Sequence, residues 1–352
     1  LGEDGLEELL GATIDTAVTL QAVQPQDLER VIVDTTVQEK AVAHPTDSRL
    51  LEIARHKVVR SAKQAGIVLK QTYAKEGKAL RFKAGGYAHA KQHRRLQRVI
   101  KRQRTILGIV LRAVQRKLAA PGFVASSPKA LADLQQGMQR AERVRTQQPK
   151  DKNKLYALHA PEVECIGKGK ARQPYEFGGK VGIATTERGN LIVGTRAFPG
   201  NPYDGHTLAE QIEQATILMQ DVKGAPKPRT AIVDLGYRGV EVPGVEIIHR
   251  GRIKSLSIKA RRLLKRRQAV EPVIGHLKDD CGLRRNWLKG SEGDVLHPVL
   301  CAAGYNLRWL MRAIARLGLR ALCSLWLLLG MLRRVLSDDR SWPVGRRLEV
   351  AN

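Results

Sequence analysis

The sequence predicts an α/β fold: a mixed sheet flanked by helices, with a large helical insertion between its first and second strands. Three observations carry this. The β-branched run Val31 to Val37 reads as a buried strand. From about Ser48 to Arg145 apolar residues recur with helical spacing, broken by Gly85-Gly86 and by Pro121-Gly122. After the polar linker Gln147 to Asn153 the period changes, and Tyr175 to Thr186 and Leu191 to Phe198 read as strands around a Glu187-Arg188-Gly189-Asn190 turn.

The other elements follow in chain order. Leu6 to Leu20 reads as a helix, followed by a Gln-Pro-Gln-Asp loop. Thr207 to Leu218 is a helix, Thr230 to Asp234 and Val245 to His249 are strands, and a basic helix begins near Ser257. Without the insertion the order is three strands, helix, two strands, helix, which is the order of the ribonuclease H-like fold. The domain reading is an N-terminal helix and loop over 1–30, a main domain split into 31–47 and 154–290 around a basic insertion over 48–153, C-terminal helices over 291–336, and a tail over 337–352.

Lys and Arg number 61 against 34 Asp and Glu, a formal charge of +27 that points to a polyanionic partner, nucleic acid first. The excess is concentrated. From Arg55 to Lys117 there are 19 Lys and Arg and one acid, Glu76, interleaved with aliphatics, which describes amphipathic helices with a basic outer face. Arg94, Arg95 and Arg98 lie in the densest stretch and are candidate phosphate contacts, sequence-independent and salt-sensitive.

Cys165, Cys281, Cys301 and Cys323 show no C-x-x-C spacing, which argues against a zinc knuckle or a disulfide scaffold and favours a reducing cytoplasm. The chain opens on Leu-Gly-Glu-Asp without the pattern of a signal peptide, and the apolar run Ala321 to Leu332 is too short to span a membrane.

Three segments present carboxylates. Val-Ile-Val-Asp34 and Ala-Ile-Val-Asp234 each deliver an aspartate at the C-terminal end of a buried strand, and Arg267, Glu271 and Lys278 at i, i+4 and i+11 fall near one helix face. Acids so placed suit two hard divalent cations about 3.5–4 Å apart, the arrangement that activates an attacking oxygen and stabilises a leaving one. Each also has an ordinary explanation: an aspartate after a strand is a common turn or helix cap residue, and a basic helix is commonly a solvated face. Pro272 requires either a kink or a new helix beginning at Glu271. Asp204, in Asn201-Pro-Tyr-Asp-Gly-His206, reads as a turn residue ahead of a helix, with a DNA-facing or near-active-site role as the alternative, and Tyr237 as a packing residue or a DNA contact.

Five ordered strings carry a resemblance: Val33 to Asp47, His159 to Lys170, Pro199 to Leu208, Asp234-Leu-Gly-Tyr-Arg238-Gly, and Val270-Glu271-Pro-Val-Ile-Gly-His-Leu-Lys278. They resemble bacterial insertion-sequence transposases of the D-D-E kind, in the family typed by insertion sequence five. The resemblance implies that Asp34, Asp234 and Glu271 hold two Mg²⁺ or Mn²⁺ ions. Arg267 and Lys278 would contact element-end DNA, with Lys180 and Arg238 as further phosphate contacts. It implies a DNA transposase that cuts element ends and joins the freed 3′-hydroxyl to double-stranded target DNA, as a homodimer in a bacterial cytoplasm, associated with the nucleoid. Relatives carry a longer N-terminal helical region, so the resemblance implies that the chain is shortened, with 1–30 a remnant of that region and 31–47 and 154–290 the catalytic domain. A remnant that only binds DNA non-specifically is the alternative.

Overall fold

The computed structural model describes residues 2–318, apart from 168, 170–173 and 253–256. The apolar run Ala321 to Leu332 and the tail from Ser337 lie outside the described residues. Helix α1 (Glu3–Thr19) and a 3₁₀ turn lead into β1 (Arg30–Lys40). Four helices follow: α2 (Asp47–Gln64), α3 (Ala74–His89), α4 (His93–Leu118) and α5 (Pro128–Thr146). Then come β2 (Glu164–Gly167), β3 (Tyr175–Thr186), β4 (Ile192–Phe198), α6 (Asp204–Leu218), β5 (Thr230–Ile232) and β6 (Glu246–Ile248). Helices α7 (Ile258–Arg266) and α8 (Val270–Asp279), the two-residue strand β7 (Arg285–Asn286) and α9 (Gly290–Arg316) complete the described chain.

The sheet runs β2-β3-β1-β5-β6, with β4 also on β3 and β7 also on β1. β3 lies antiparallel to β1, while β5 lies parallel to β1 and β6 parallel to β5. Strand side chains alternate between faces, so Val31 and Val33 enter one core and Ile32 another. The first core joins the sheet to α1, α6 and α9 through Leu10, Ile14, Leu208, Ala215, Ala302 and Trp309. The second holds Ile32, Ile232 and Ile248 against Ala260, Leu264 and Val270 of α7 and α8. Helices α2 to α5 have a core of their own, with Leu51, Val58, Leu107, Val114, Leu134 and Val144 at its centre.

Two expectations about breaks need separating. Pro121-Gly122 does end a helix, and the polypeptide is non-helical from there to Ser127. Gly85-Gly86 does not. Both glycines lie within α3 facing open space, and the chain turns instead at Lys91, whose φ of 53° is left-handed. A glycine in an exposed helix costs roughly 1 kcal/mol relative to alanine, a cost the neighbouring turns absorb. The β3–β4 hairpin forms as expected, with Gly189 (φ 81°) and Asn190 (φ 58°) supplying its left-handed residues.

Two polar clips fix the layers. Asn306 on α9 donates to Ile192 O (2.8 Å) and Thr13 Oγ1 (2.9 Å) and accepts from Ile192 N (3.0 Å), tying α1, β4 and α9 together. At the far end of β1, buried Lys40 bonds Asp294 (2.6 Å), Glu162 (3.2 Å) and Gly290 O (3.1 Å). Removing the cation strands two acids, so Lys40→Met is expected to lower the unfolding free energy by about 3 kcal/mol in urea titrations at pH 7. A loss under 1 kcal/mol would mean that the ion network does not hold this end of the strand.

Candidate active site

Asp34 ends the apolar run Val31 to Val33 within a strand expected to reach Val37, and in β1 it is the fifth of eleven residues. The strand continues because β3 pairs with it from Val31 through Glu39, Asp34 standing opposite Ile183. β5 pairs only as far as Ile32 along the other edge of β1, and β7 rejoins that edge at Glu39, so the carboxylate stands beside a notch in the sheet. Asp34 Oδ1 accepts from the Thr35 amide (2.8 Å), and Oδ2 accepts from Arg267 Nη1 (3.0 Å). Burial pushes its carboxyl up to about 6, and the charges of Asp234 and Glu271 push the same way against the Thr35 amide and Arg267. Asp234 and Glu271, from two further elements, therefore both act on Asp34.

Asp234 follows β5 and caps a 3₁₀ turn, Leu235–Tyr237, accepting from Gly236 N at 2.7 Å. The turn-residue and site-residue readings of this aspartate are compatible. A Cβ on Gly236 would sit 2.9 Å from both Asp234 Oδ1 and Asp204 Oδ2, so any larger residue would have to push these carboxylates aside. Asp204, the first residue of α6, thus joins the site. It accepts from Thr35 Oγ1 (3.0 Å) and from Lys180 Nζ (2.7 Å). The sequence favours a turn role for Asp204 and keeps a near-active-site role as its alternative, and the signal for the second is its place in one of the five strings. Lys180 also needs correcting. Its ammonium is bonded to Asp204 and to Pro202 O (2.6 Å) with little exposure, so it braces the site from below rather than offering a free charge to phosphate.

The glutamate segment is broken where the sequence expected one helical face. α7 ends at Arg266, a 3₁₀ turn spans Arg267–Ala269, and α8 begins at Val270. Pro272 is the third residue of α8, where no N–H is needed, so it starts a helix rather than breaking one. Arg267 leaves the Glu271–Lys278 face and points at Asp34. Glu271 is exposed and Lys278 half-buried, while Arg238 is exposed just past the Asp234 turn.

For a divalent cation the donor chemistry fits, since the converging groups are carboxylate oxygens carrying charge that Arg267 and Lys180 offset only in part. The arrangement is not closed around an ion: among the described residues no group of three His, Cys, Asp or Glu is placed to hold a metal. Arg267 occupies the Asp34 oxygen that such an ion would take.

Away from this centre, α4 buries Val99, Ile100, Ile106, Leu107, Val110, Leu111 and Val114 and turns Arg94, Arg95 and Arg98 to solvent. Arg102 is held by Glu76 through two hydrogen bonds (2.7 and 3.1 Å). No described helix is long and apolar enough to cross a membrane.

Residues 141–307 match the family model described as the transposase DDE domain. The match takes in Asp204, Asp234 and Glu271 and leaves Asp34 outside it. A Rhizobium meliloti protein described as uncharacterized protein ORF8 in the nfe locus is 51% identical over 92 residues, 26% of this chain and 44% of the relative. The chain thus spans under half the length of that relative. No solved structure matches the chain.

The raised carboxyl of Asp34 has a signed consequence for stability. A carboxyl whose folded pKa lies above its ordinary 3.8 binds its proton more tightly when folded, so stability is lost as pH rises from about 4 through 6. In chelator, Asp34→Asn is expected to be more stable than the unsubstituted protein at pH 7.5, by roughly 3 kcal/mol for a shift of this size. The advantage should fade between pH 6 and pH 4. Thermal unfolding across pH 4–8 reads this out, and equal melting temperatures at pH 7.5 would contradict the strained carboxylate.

Proposed function

Because residues 141–307 match the family model described as the transposase DDE domain, we propose that the chain is a transposase that cuts DNA at insertion-element ends and joins the freed 3′-hydroxyl to target DNA. The reading is of two-metal phosphodiester transfer in a ribonuclease H-like domain of the family typed by insertion sequence five. The catalytic domain is split into 31–47 and 154–290, and α2 to α5 form its insertion. One observation carries the reading: the Asp34 carboxyl on β1 responds to Asp234 after β5 and to Glu271 on α8 at once.

Asp34, Asp234 and Glu271 would hold Mg²⁺ or Mn²⁺, two per site. Bound there, the ions supply activation of the attacking oxygen and stabilisation of the leaving one. The protein's own groups do the rest. Asp204 and Lys180 brace the floor of the site through Thr35 and Pro202 O. Lys278 and Arg238 at the rim, with Arg267 once it leaves Asp34, offset the phosphate charge at the scissile bond. Arg94, Arg95 and Arg98 on α4 grip the backbone of double-stranded DNA elsewhere. Bringing two element ends together calls for two copies of the chain, and the DNA substrate places it in the bacterial cytoplasm, at the nucleoid.

A DNA-binding remnant without nuclease activity is favoured by one specific observation, the Arg267–Asp34 ion pair at 3.0 Å, which blocks a ligand position. The two readings part on cleavage. In Mg²⁺, the unsubstituted protein should cleave element-end DNA, and Asp34→Ala, Asp234→Ala and Glu271→Ala should each reduce cleavage to background while gel-shift binding persists. Cleavage that persists in all three variants would rule out the triad. No cleavage by any form, with binding slightly strengthened by loss of the acids, would favour the remnant.

The basic helix makes a separate prediction. Replacing Arg94, Arg95 and Arg98 together with alanine should weaken binding about equally on unrelated sequences. It should also reduce the slope of log affinity against log salt by roughly 3. An unchanged slope would place the DNA elsewhere.

A further inference from the structure

Tyr237 has no part in the site as described so far, yet it is the largest fully buried side chain among the described residues, 1% exposed. It closes the 3₁₀ turn that Asp234 caps. Its hydroxyl is buried and meets no partner in hydrogen-bonding geometry. The Thr207 hydroxyl lies beside it but donates its own proton to Asp204 O (2.7 Å). The negative charges of Asp34, Asp204 and Asp234 all act on the phenol, and together with burial they keep it protonated.

A buried hydroxyl without an acceptor is uncommon, because it forfeits the hydrogen bonds it made to water. Here it sits among carboxylates that are already engaged. Asp34 accepts from Thr35 N and Arg267, Asp204 from Thr35 Oγ1 and Lys180, and Asp234 from Gly236 N. A permanent O–H donor that reaches none of these acceptors, although the bonds to Asp204 and Asp234 fall on only one oxygen of each, is matched to a different arrangement of the carboxylates.

We propose that Tyr237 is a positioning residue of the divalent-cation site, its hydroxyl donating to an aspartate oxygen of the Asp34, Asp204 and Asp234 cluster when a cation takes the place of Arg267. The inference rests on the two-metal reading above. Carboxylates that hold metals are themselves held by outer hydrogen bonds, and losing one such partner typically costs 10- to 100-fold in metal affinity. Phenylalanine fills the same volume and cannot donate.

The test compares unsubstituted protein, Tyr237→Phe and Asp234→Ala by Mn²⁺ titration calorimetry and by thermal unfolding in chelator. The expected result for Tyr237→Phe is an unchanged or higher melting temperature in chelator, since an unpaired hydroxyl has been removed, together with Mn²⁺ binding weakened about tenfold. Unchanged Mn²⁺ affinity overturns the proposal. So does a lowered melting temperature in chelator, which would mean that the hydroxyl already has a partner in the free protein. If the unsubstituted protein takes up no Mn²⁺, this inference and the two-metal reading both fall. If it binds Mn²⁺ and Asp234→Ala does not, the reading stands and Tyr237→Phe alone decides the inference.

Discussion

The arrangement of this molecule turns on convergence of like charge. Asp34 and Asp234 are drawn towards Glu271, and Asp204 is held beside Asp234 across Gly236. Two carboxylates about 5 Å apart in a partly buried setting repel by roughly 3 kcal/mol at an effective dielectric of 20. Such a cluster persists only if the scaffold is committed elsewhere. The commitment is visible on β1, which pairs on both edges around Asp34, packs aliphatics into a core on each face and is fixed at its end by the Lys40 ion network. The compensating groups are few and local: Arg267 for Asp34, Lys180 for Asp204, and backbone amides for Asp34 and Asp234.

Charge is therefore sorted in space as well as balanced in sum. Acids meet at the notch where β5 stops, while much of the cationic excess of a +27 chain is displayed outside, on α4 and on α7. A polyanion would be held by the second feature and repelled by the first until the acids are neutralised. Any ligand of Asp34 Oδ2 would share that oxygen with Arg267 or displace it, so the guanidinium lies where it would feel whatever binds there.

Much of the scaffold was legible because its signals are local. Val31 to Val33 and Ala231 to Val233 are β-branched or small apolar runs, and Gly189-Asn190 supplies the backbone angles of a hairpin. Helix α6 is marked by apolar spacing that any local window detects. What was missed depends on partners far along the chain. β2 and β7 are too short to signal themselves and exist because β3 and β1 offer free edges. The apolar run stops at Asp34 and the expected strand at Val37, yet β1 continues through Gln38 and Glu39 since β3 is long enough to pair with them. Lys180 and Asp204 are 24 residues apart, and nothing local to either reveals that they bond. The trio of acids was read from spacing and resemblance, whereas the capture of Arg267 by Asp34 belongs to the folded chain alone.

That capture follows from three residues of backbone. In a continuous α-helix, Arg267 and Glu271 would stand roughly 40° apart around the axis and share a face. The 3₁₀ turn at Arg267–Ala269 advances each residue by about 120° instead of 100°, which opens the separation to roughly 100°. Glu271 and Lys278, seven residues apart within α8, remain aligned to within about 20°. The break thus divides the trio, leaving an acid and a lysine along the rim and sending the arginine inward to the central strand. Pro272 belongs to this geometry, because a proline in the first turn of α8 is compatible with a helix that begins at Val270 and not with one that runs unbroken from Ile258. The proline that complicated a one-helix reading is thus what separates the arginine from the glutamate.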